Sequence, residues 1–409
     1  MKSPSPTDLS QAIDRLRQHC ASQNYEGFSK FDALNSPWIE KLSGQSMVLR
    51  LLASQAVNRV PLPLRHWTGV KKRRNAKGIG NFVRGLGTLY LANPEKALKE
   101  EVKSLSQWLL ENESHRLGAY DGPGMAWGYP FPWQSPGFFA PRFAPNCIVT
   151  VFVGEGLLIA YQVTGESAYL EAARGVRQFI LEYLPRLEET ASQLCLGYVK
   201  EGLKWKVINI NAVSAGFLSK LAKAESNSEG YQIPKRLINW VMSVQSEGGY
   251  WNYTHPKKQS GIGPDNYHTG GILDGIFDYM EASGDRSFEP AWRKALVFYR
   301  QHFFTETGSP NWRVGKRYPQ DIHGAAQGIL TFVRAARWYP PYLDVAGLIA
   351  QWALSEMQSP EGGFYYQKWR AFTWKIPLMR WNNSWMMMAL SQYQAAIEKS
   401  QFPPKAVTS

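Results

Sequence analysis

The chain has 409 residues, 44% of them apolar and 19% charged, a balance that excludes a disordered chain and allows a large buried core. Its 46 Lys and Arg against 33 Asp and Glu leave a net charge of +13, which favours anionic partners; no nucleic-acid-binding motif accompanies the charge, so nucleic acid is set aside. Aromatics reach 13%, with 16 Trp and 20 Tyr, a supply of flat apolar faces that suits both cores and clefts lined for sugars or isoprenoids.

In chain order, residues 1–18 are polar and contain no apolar stretch of the signal-peptide kind, and no apolar run approaches the length of a membrane span. A cytoplasmic protein is therefore expected. Residues 1–44 read as an irregular N-terminal segment, followed by an amphipathic helix near 45–58. Lys71-Lys72-Arg73-Arg74 is the longest basic run. It reads as a solvated loop or as a contact with a polyanion or membrane surface.

From there small-residue-rich helical segments begin near Gly78, Asn146, Asn211, Asn266, Asp321 and Trp381, at spacings of 68, 65, 55, 55 and 60 residues. Glycine costs helix propensity, so its recurrence marks helices crowded against neighbours, as in the inner ring of a helical barrel. A more amphipathic segment follows each of the first five, near 94–112, 166–184, 230–244, 288–303 and 342–357, and the helix near 45–58 is taken as the sixth. Six inner and six outer helices predict an all-α (α/α)6 toroid over 45–399. Strands should be few and short, and 400–409 should form a flexible tail. Gln245-Ser246-Glu247-Gly248-Gly249-Tyr250-Trp251 and Gln358-Ser359-Pro360-Glu361-Gly362-Gly363-Phe364-Tyr365 repeat one phrase 113 residues apart. They read as turns leaving outer helices and delivering aromatics towards the mouth of the barrel. Cys20, Cys147 and Cys195 match neither a disulfide framework nor a metal knuckle, and no metal or cofactor is expected.

The loops ahead of the inner helices should surround one mouth, and they carry aromatic, Arg and ionisable residues. Asp265, His268, Asp321 and His323 form the set available for acid–base work, because His268 and His323 recur at matching places in successive repeats. Trp127, Trp133, Tyr253, Tyr267, Trp312, Arg313, Tyr318, Tyr365 and Trp381 are the candidate substrate-binding residues. Asn146, Asn211, Asn266 and Asp321 stand at helix starts, where capping is the competing reading.

The repeated Gln-x-x-x-Gly-x-aromatic phrase resembles the aromatic repeats of squalene and other triterpene cyclases. Asp265-Asn266-Tyr267-His268-Thr269-Gly270 resembles the Asp-x-Tyr-His-Thr element of protein prenyltransferase β subunits. Both families are toroids, but the Asp-x-Asp-Asp run of the first and the Asp-x-Cys zinc ligands of the second have no counterpart here. Over about 25–392 the chain resembles toroid proteins of bacterial exopolysaccharide and O-antigen clusters. That resemblance rests on Trp127-Gly128-Tyr129-Pro130-Phe131-Pro132-Trp133-Gln134-Ser135, Asp265 to Gly270 and Tyr318-Pro319-Gln320-Asp321-Ile322-His323. More remotely it resembles glucuronyl C5-epimerases, N-acylglucosamine epimerases and unsaturated-uronyl hydrolases. These resemblances imply a carbohydrate-active protein of surface-polysaccharide synthesis. It would be an enzyme such as a uronate epimerase, or a lyase or hydrolase, acting on an acidic glycan or its precursor. Two alternatives stand beside it: a non-catalytic glycan-binding or assembly component, and isoprenoid chemistry on a lipid-linked intermediate.

Overall fold

The computed structural model describes residues 2–202 and 204–401. The helices in chain order are α1 (Pro6–Ser22), the short α2 (Pro37–Ser43), α3 (Met47–Val57), α4 (Leu62–Arg65), α5 (Ala76–Ala92), α6 (Lys96–Glu111), α7 (Cys147–Thr164) and α8 (Ser167–Gln178). They continue as α9 (Ile208–Ala224), α10 (Gln232–Ser243), α11 (Asn266–Ser283), α12 (Glu289–Phe303), α13 (Ile322–Ala336), α14 (Tyr342–Met357) and α15 (Ser384–Gln401). The odd-numbered helices from α5 to α15 pack side by side, and α15 returns to α5, so the inner ring is closed. Helices α6, α8, α10, α12 and α14 each pack on the inner helix that precedes them. The molecule is an (α/α)6 toroid.

The sixth outer helix is not the expected one. Helix α1 takes that place, packing on α15 with Leu9, Ala12, Ile13, Leu16 and Cys20 buried. Ser5 caps it by accepting from the Asp8 N–H. Helix α3 lies outside the ring, its apolar side chains largely exposed. In the expected tail, Ser400 and Gln401 continue α15, and 402–409 lie outside the described residues.

Local chemistry sets the helix ends. Asn146 caps α7, accepting from Val149 N at 3.1 Å, and Gly165 ends that helix in the left-handed region. Asp265 caps α11, and Gly284 ends it in the same way. Asn266 is therefore the first residue inside α11, not its cap. Asn211 also lies within its helix, α9, and holds both the N–H and the C=O of Leu196. The inner-ring glycines permit close helix contact: a Cβ on Gly80 would lie 2.8 Å from the Phe152 carbonyl on α7. At 18 residues, α7 is long and apolar enough, by length and composition, to cross a membrane, against expectation. It is an inner helix buried in the ring.

The strands are short. β1 (Trp133–Gln134) pairs with β2 (Phe139–Ala140), and β3 (Arg186–Glu189) with β4 (Leu194–Leu196), both antiparallel. β5 (Gln320–Asp321), β6 (Gln367–Lys368) and β7 (Thr373–Trp374) form an antiparallel sheet ahead of α13 and α15. The main apolar core fills the space between the two rings. A smaller one, with Phe28, Leu34, Ile39, Val57, Val70 and Trp381, lies beneath α2–α4. Arg65 fastens this second unit: fully buried, it pairs with Asp32 at 2.5 Å and donates to the carbonyls of Val57 and Ser29.

Candidate functional site

The loops that precede the inner helices converge on one mouth of the ring and enclose a cavity of about 290 Å³. Helix geometry selects its floor. The second residue of α5, α7, α9, α11 and α13 is respectively Lys77, Ile148, Asn209, Tyr267 and His323, and all five line the cavity. His268, the third residue of α11, joins them. The walls are aromatic. The 129–138 loop and its β1–β2 hairpin supply Tyr129, Phe131, Trp133 and Phe138, and the loop before α9 supplies Tyr198 and Trp205. Tyr253 comes from the loop before α11, and Trp381 from the wide helical turn Met379–Asn383 that runs into α15.

Asp265 binds His268 twice. It accepts from the backbone N–H at 3.0 Å as the helix cap, and its other oxygen lies 2.7 Å from Nδ1. A proton on Nδ1 satisfies that contact and leaves the Nε2 lone pair for the cavity. The ring is held between Tyr253 and Tyr267, each at 4.5 Å. Beyond Tyr267 lies His323, stacked at 4.9 Å on the same ring, at 4.0 Å from Trp385 and 4.3 Å from Trp381. Burial, then the positive charges of Lys77, Lys30 and Arg380 and neighbouring His268, lowers its pKa well below the ordinary value. His323 is thus a neutral imidazole at pH 7, and its buried Nδ1 has no hydrogen-bond partner among the described residues.

Three buried basic groups share the cavity. The Lys30 Nζ lies 3.8 Å from the centre of the Trp381 ring, with Tyr366 and Phe31 also around it. Burial brings its pKa down to about 8, with Asp321 opposing and Arg380 assisting. Lys77 sits 4.2 Å from the Phe152 ring centre; burial and the cations Arg380 and Arg84 hold its pKa well below the ordinary value. Arg380 donates to the Lys30 carbonyl at 3.0 Å, while its buried Nε has no partner among the described residues. No Asp or Glu lines the cavity among the described residues.

Of the residues expected from sequence, the cavity brings together His268, His323, Trp133, Tyr253, Tyr267 and Trp381. Asp265 stands behind His268 as its orienting group. Asp321 is occupied as the cap of α13: it accepts from His323 N, from Gln367 Nε2 at 2.8 Å and from Trp381 Nε1 at 3.0 Å, so it holds the wall without facing the space. Trp127 is fully buried and donates to the Leu109 carbonyl, a packing residue. Trp312, Arg313, Tyr318 and Tyr365 do not line the cavity: Trp312 lies 6.0 Å from Lys30, and Arg313 forms a bridge to Asp265 one layer back. Tyr250, Trp251, Phe364 and Tyr365 of the repeated phrase are likewise absent from the cavity; Trp251 and Phe364 are buried, and Tyr250 stacks on Phe298 of α12. Lys30 and Lys77 were not singled out from sequence. The position of Lys77, two residues past the Asn75 cap as His323 is past Asp321, is the signal that would have found it.

Below the cavity, and sharing Phe152, Val213, Gly271, Gln327 and Trp385 with it, lies a second chamber closed by charges. Glu155 pairs with Arg84 at 2.7 Å and with Lys220 at 2.9 Å. Asp278 pairs with Lys220 at 2.5 Å and with Arg334 at 3.1 Å, and Arg334 reaches Asp274 at 3.3 Å. The network plugs the lumen, so the cavity is blind.

No protein family and no curated protein matches the sequence. Solved structures do match the fold. Cellobiose 2-epimerase from Bacillus thermoamylovorans is 11% identical, with a TM-score of 0.62 over 80% of this chain and 88% of that one. An unsaturated glucuronyl hydrolase specific for heparin is 13% identical, with a TM-score of 0.58 over 95% and 96%. A polysaccharide lyase is 9% identical, with a TM-score of 0.57 over 97% and 98%. Their likeness establishes the toroid architecture this chain shares with carbohydrate epimerases, lyases and hydrolases.

Proposed function

We propose that the protein acts on an acidic glycan or glycan precursor of surface-polysaccharide synthesis, as a uronate C5-epimerase or lyase. The observation that carries this reading is the pairing of two unlike histidines with three buried basic groups in an aromatic cavity that, among the described residues, no carboxylate lines. Aromatic faces suit the apolar faces of sugar rings. Lys30, Lys77 and Arg380 line the cavity and suit the carboxylate of a uronate.

The chemistry follows from the charges. A neutral imidazole removes the C5 proton, and the C–H electrons move into the carboxylate as an enediolate, which the neighbouring cations stabilise. Return of a proton to the opposite face of C5 gives the epimer. Expulsion of the substituent oxygen at C4, which takes up the proton carried by the imidazolium, gives the unsaturated lyase product. His268, oriented by Asp265, and His323, on the other side of Tyr267, are the two groups placed to handle the proton. Hydrolysis would call for a pair of carboxylates on the glycosidic bond, which fits this lining less well. Isoprenoid cyclisation would call for an acid able to protonate an alkene, and among the described residues the wall facing the cavity offers none of the carboxylates that serve there.

Incubation in D2O with glycans containing glucuronate or mannuronate tests the proposal by NMR at C5 and by absorbance of an unsaturated product. Deuterium incorporation or cleavage is expected. The His268→Gln and Asp265→Asn variants should lower turnover about 10²–10⁴-fold while retaining glycan binding. Binding without turnover that survives loss of both histidines would instead leave a glycan-binding component. No exchange, cleavage or binding across the panel would end the carbohydrate reading.

A further inference from the structure

Helices α2, α3 and α4 and the turn that follows form a cap outside the ring, and its outer face is apolar. Of the fourteen large apolar side chains exposed among the described residues, eight lie between Trp38 and Trp67. Leu42 is 74% exposed, Trp67 73%, Leu52 61%, Val48 59% and Trp38 50%. The elements that carry them are neighbours: α2 packs on α3, and Gly69 lies so close to Trp38 that a Cβ there would come within 2.7 Å of its indole nitrogen. The cap needs none of these side chains for its own core, which is built from Phe28, Leu34, Ile39, Val57 and Val70. Its second apolar face is therefore turned towards something else.

The charge around that face is one-sided. Between residues 37 and 74 the sequence has eight Lys and Arg and a single acid, Glu40. Arg65 is consumed inside, paired with Asp32, whereas Lys41, Arg59, Lys71, Lys72 and Arg73 are exposed. Exposed Trp and aliphatic side chains on short surface helices, rimmed by Lys and Arg, match the chemistry of the interface of an anionic bilayer: apolar groups enter below the headgroups and ammonium and guanidinium groups meet the phosphates.

The face also borders the cavity mouth. Helix α3 packs on β1, and the Arg50 guanidinium stacks 4.0 Å over Phe139 of β2, the hairpin whose Trp133 and Phe138 wall the cavity. Asn58, at the end of α3, accepts from the N–H of Phe31, another lining residue. We infer that the α2–α4 cap docks the protein on an anionic membrane surface through Trp38, Leu42, Val48, Leu52 and Trp67, with Lys41, Lys71 and Lys72 on the headgroups. This places the mouth of the cavity at the bilayer, whatever the cavity binds.

Co-sedimentation of the full chain with vesicles tests the inference, using phosphatidylcholine alone and phosphatidylcholine mixed with phosphatidylglycerol. The protein should pellet with the mixed vesicles and much less with the neutral ones. Val48→Asp combined with Leu52→Asp should lower that partitioning by about tenfold or more. Reversal of Lys41, Lys71 and Lys72 to Glu should lower it by about a hundredfold. All five positions are exposed, and an unchanged circular dichroism spectrum and melting curve confirm that the variants are folded. The inference is overturned if the wild-type chain pellets with neither vesicle, or if the substitutions leave its partitioning unchanged. It is equally overturned if the chain is a dimer in solution that Val48→Asp/Leu52→Asp disperses, because the face would then be covered by a second copy.

Discussion

Lys30 shows how one residue ties affinity and stability to pH in opposite directions. Its pKa of about 8 lies below the ordinary lysine value of 10.5 because burial disfavours the charged form. Between those two values the unfolded chain carries a proton that the native state has lost, so stability rises with pH across that window. Below about 8 the buried ammonium is a constant cost. An anionic ligand needs the proton, so its affinity should fall as pH rises through 8, by about tenfold between pH 7 and pH 9 if only the protonated form binds. Titration calorimetry with a uronate oligosaccharide at the two pH values checks this. Lys30→Met should abolish the step while raising the melting temperature at pH 7; an unchanged pH dependence in that variant would remove Lys30 from the ligand's surroundings. His323 has the same sign at lower pH: its depressed pKa makes its contribution to stability fall as pH drops below 6.5. The histidines were legible in the sequence because they recur beside helix caps. Lys30 was not, because 350 residues separate it from Arg380 and only closure of the ring brings the Arg380 guanidinium onto the Lys30 carbonyl.

At the scale of the element, the repeated phrase is a clamp between neighbouring outer helices. Gln358 Nε2 donates to Gly362 O within its own turn and to Ala12 O on α1; Gln245 Nε2 donates to Gly249 O and to Ala291 O on α12. Gly249 and Gly362 have φ of 82° and 93°, and each turn presses on the next outer helix, Gly249 against Lys294 and Gly362 against the Arg15 carbonyl. Gly124 and Gly308 repeat the arrangement against Gly175 on α8 and Leu348 on α14, without the Gln. Gly362→Ala should therefore cost about 2–3 kcal/mol, from positive φ and the absence of room together. Gly118→Ala, with φ of 66° but open space, should cost only about 1 kcal/mol. Urea unfolding of both variants separates the two effects, and equal costs would show that the contact with α1 contributes nothing. The same clamp identifies α1 as the sixth outer helix, since Ala12 receives Gln358 as Ala291 receives Gln245. The sequence pattern points instead to the amphipathic helix near 45–58, which is the more apolar of the two. Helix α1 buries a narrow stripe spaced three and four residues apart, whereas the apolar side chains of α3 face outwards.

For the whole molecule, the question is what holds six hairpins in a ring while leaving one end hollow. The charge network answers at the closed end. Arg84, Lys220 and Arg334 face Glu155, Asp274 and Asp278, contributed by α5, α7, α9, α11 and α13, so five of the six inner helices meet in one neutral cluster. Burial pushes the Asp278 carboxyl up, but Arg334 and Lys220 outweigh it and hold its pKa down at about 2; the carboxylates in turn raise Arg334 against burial. Charges removed from water gain little net stability even when paired, and an unpaired one is costly. The plug is thus better understood as a device for register than as a source of stability: helices packed through Gly80 and Gly275 could slide, and a slipped ring would strand a buried charge. Arg334→Met, which leaves Asp274 without an ion-pair partner among the described residues and Asp278 with Lys220 alone, should cost about 3–5 kcal/mol. Adding Asp278→Leu restores the balance of Arg84 and Lys220 against Glu155 and Asp274. This double variant should recover a measurable part of the loss, a positive coupling read from a double-mutant cycle in urea. If the two losses simply add, the ring closes by apolar packing alone and the charges at its base act independently.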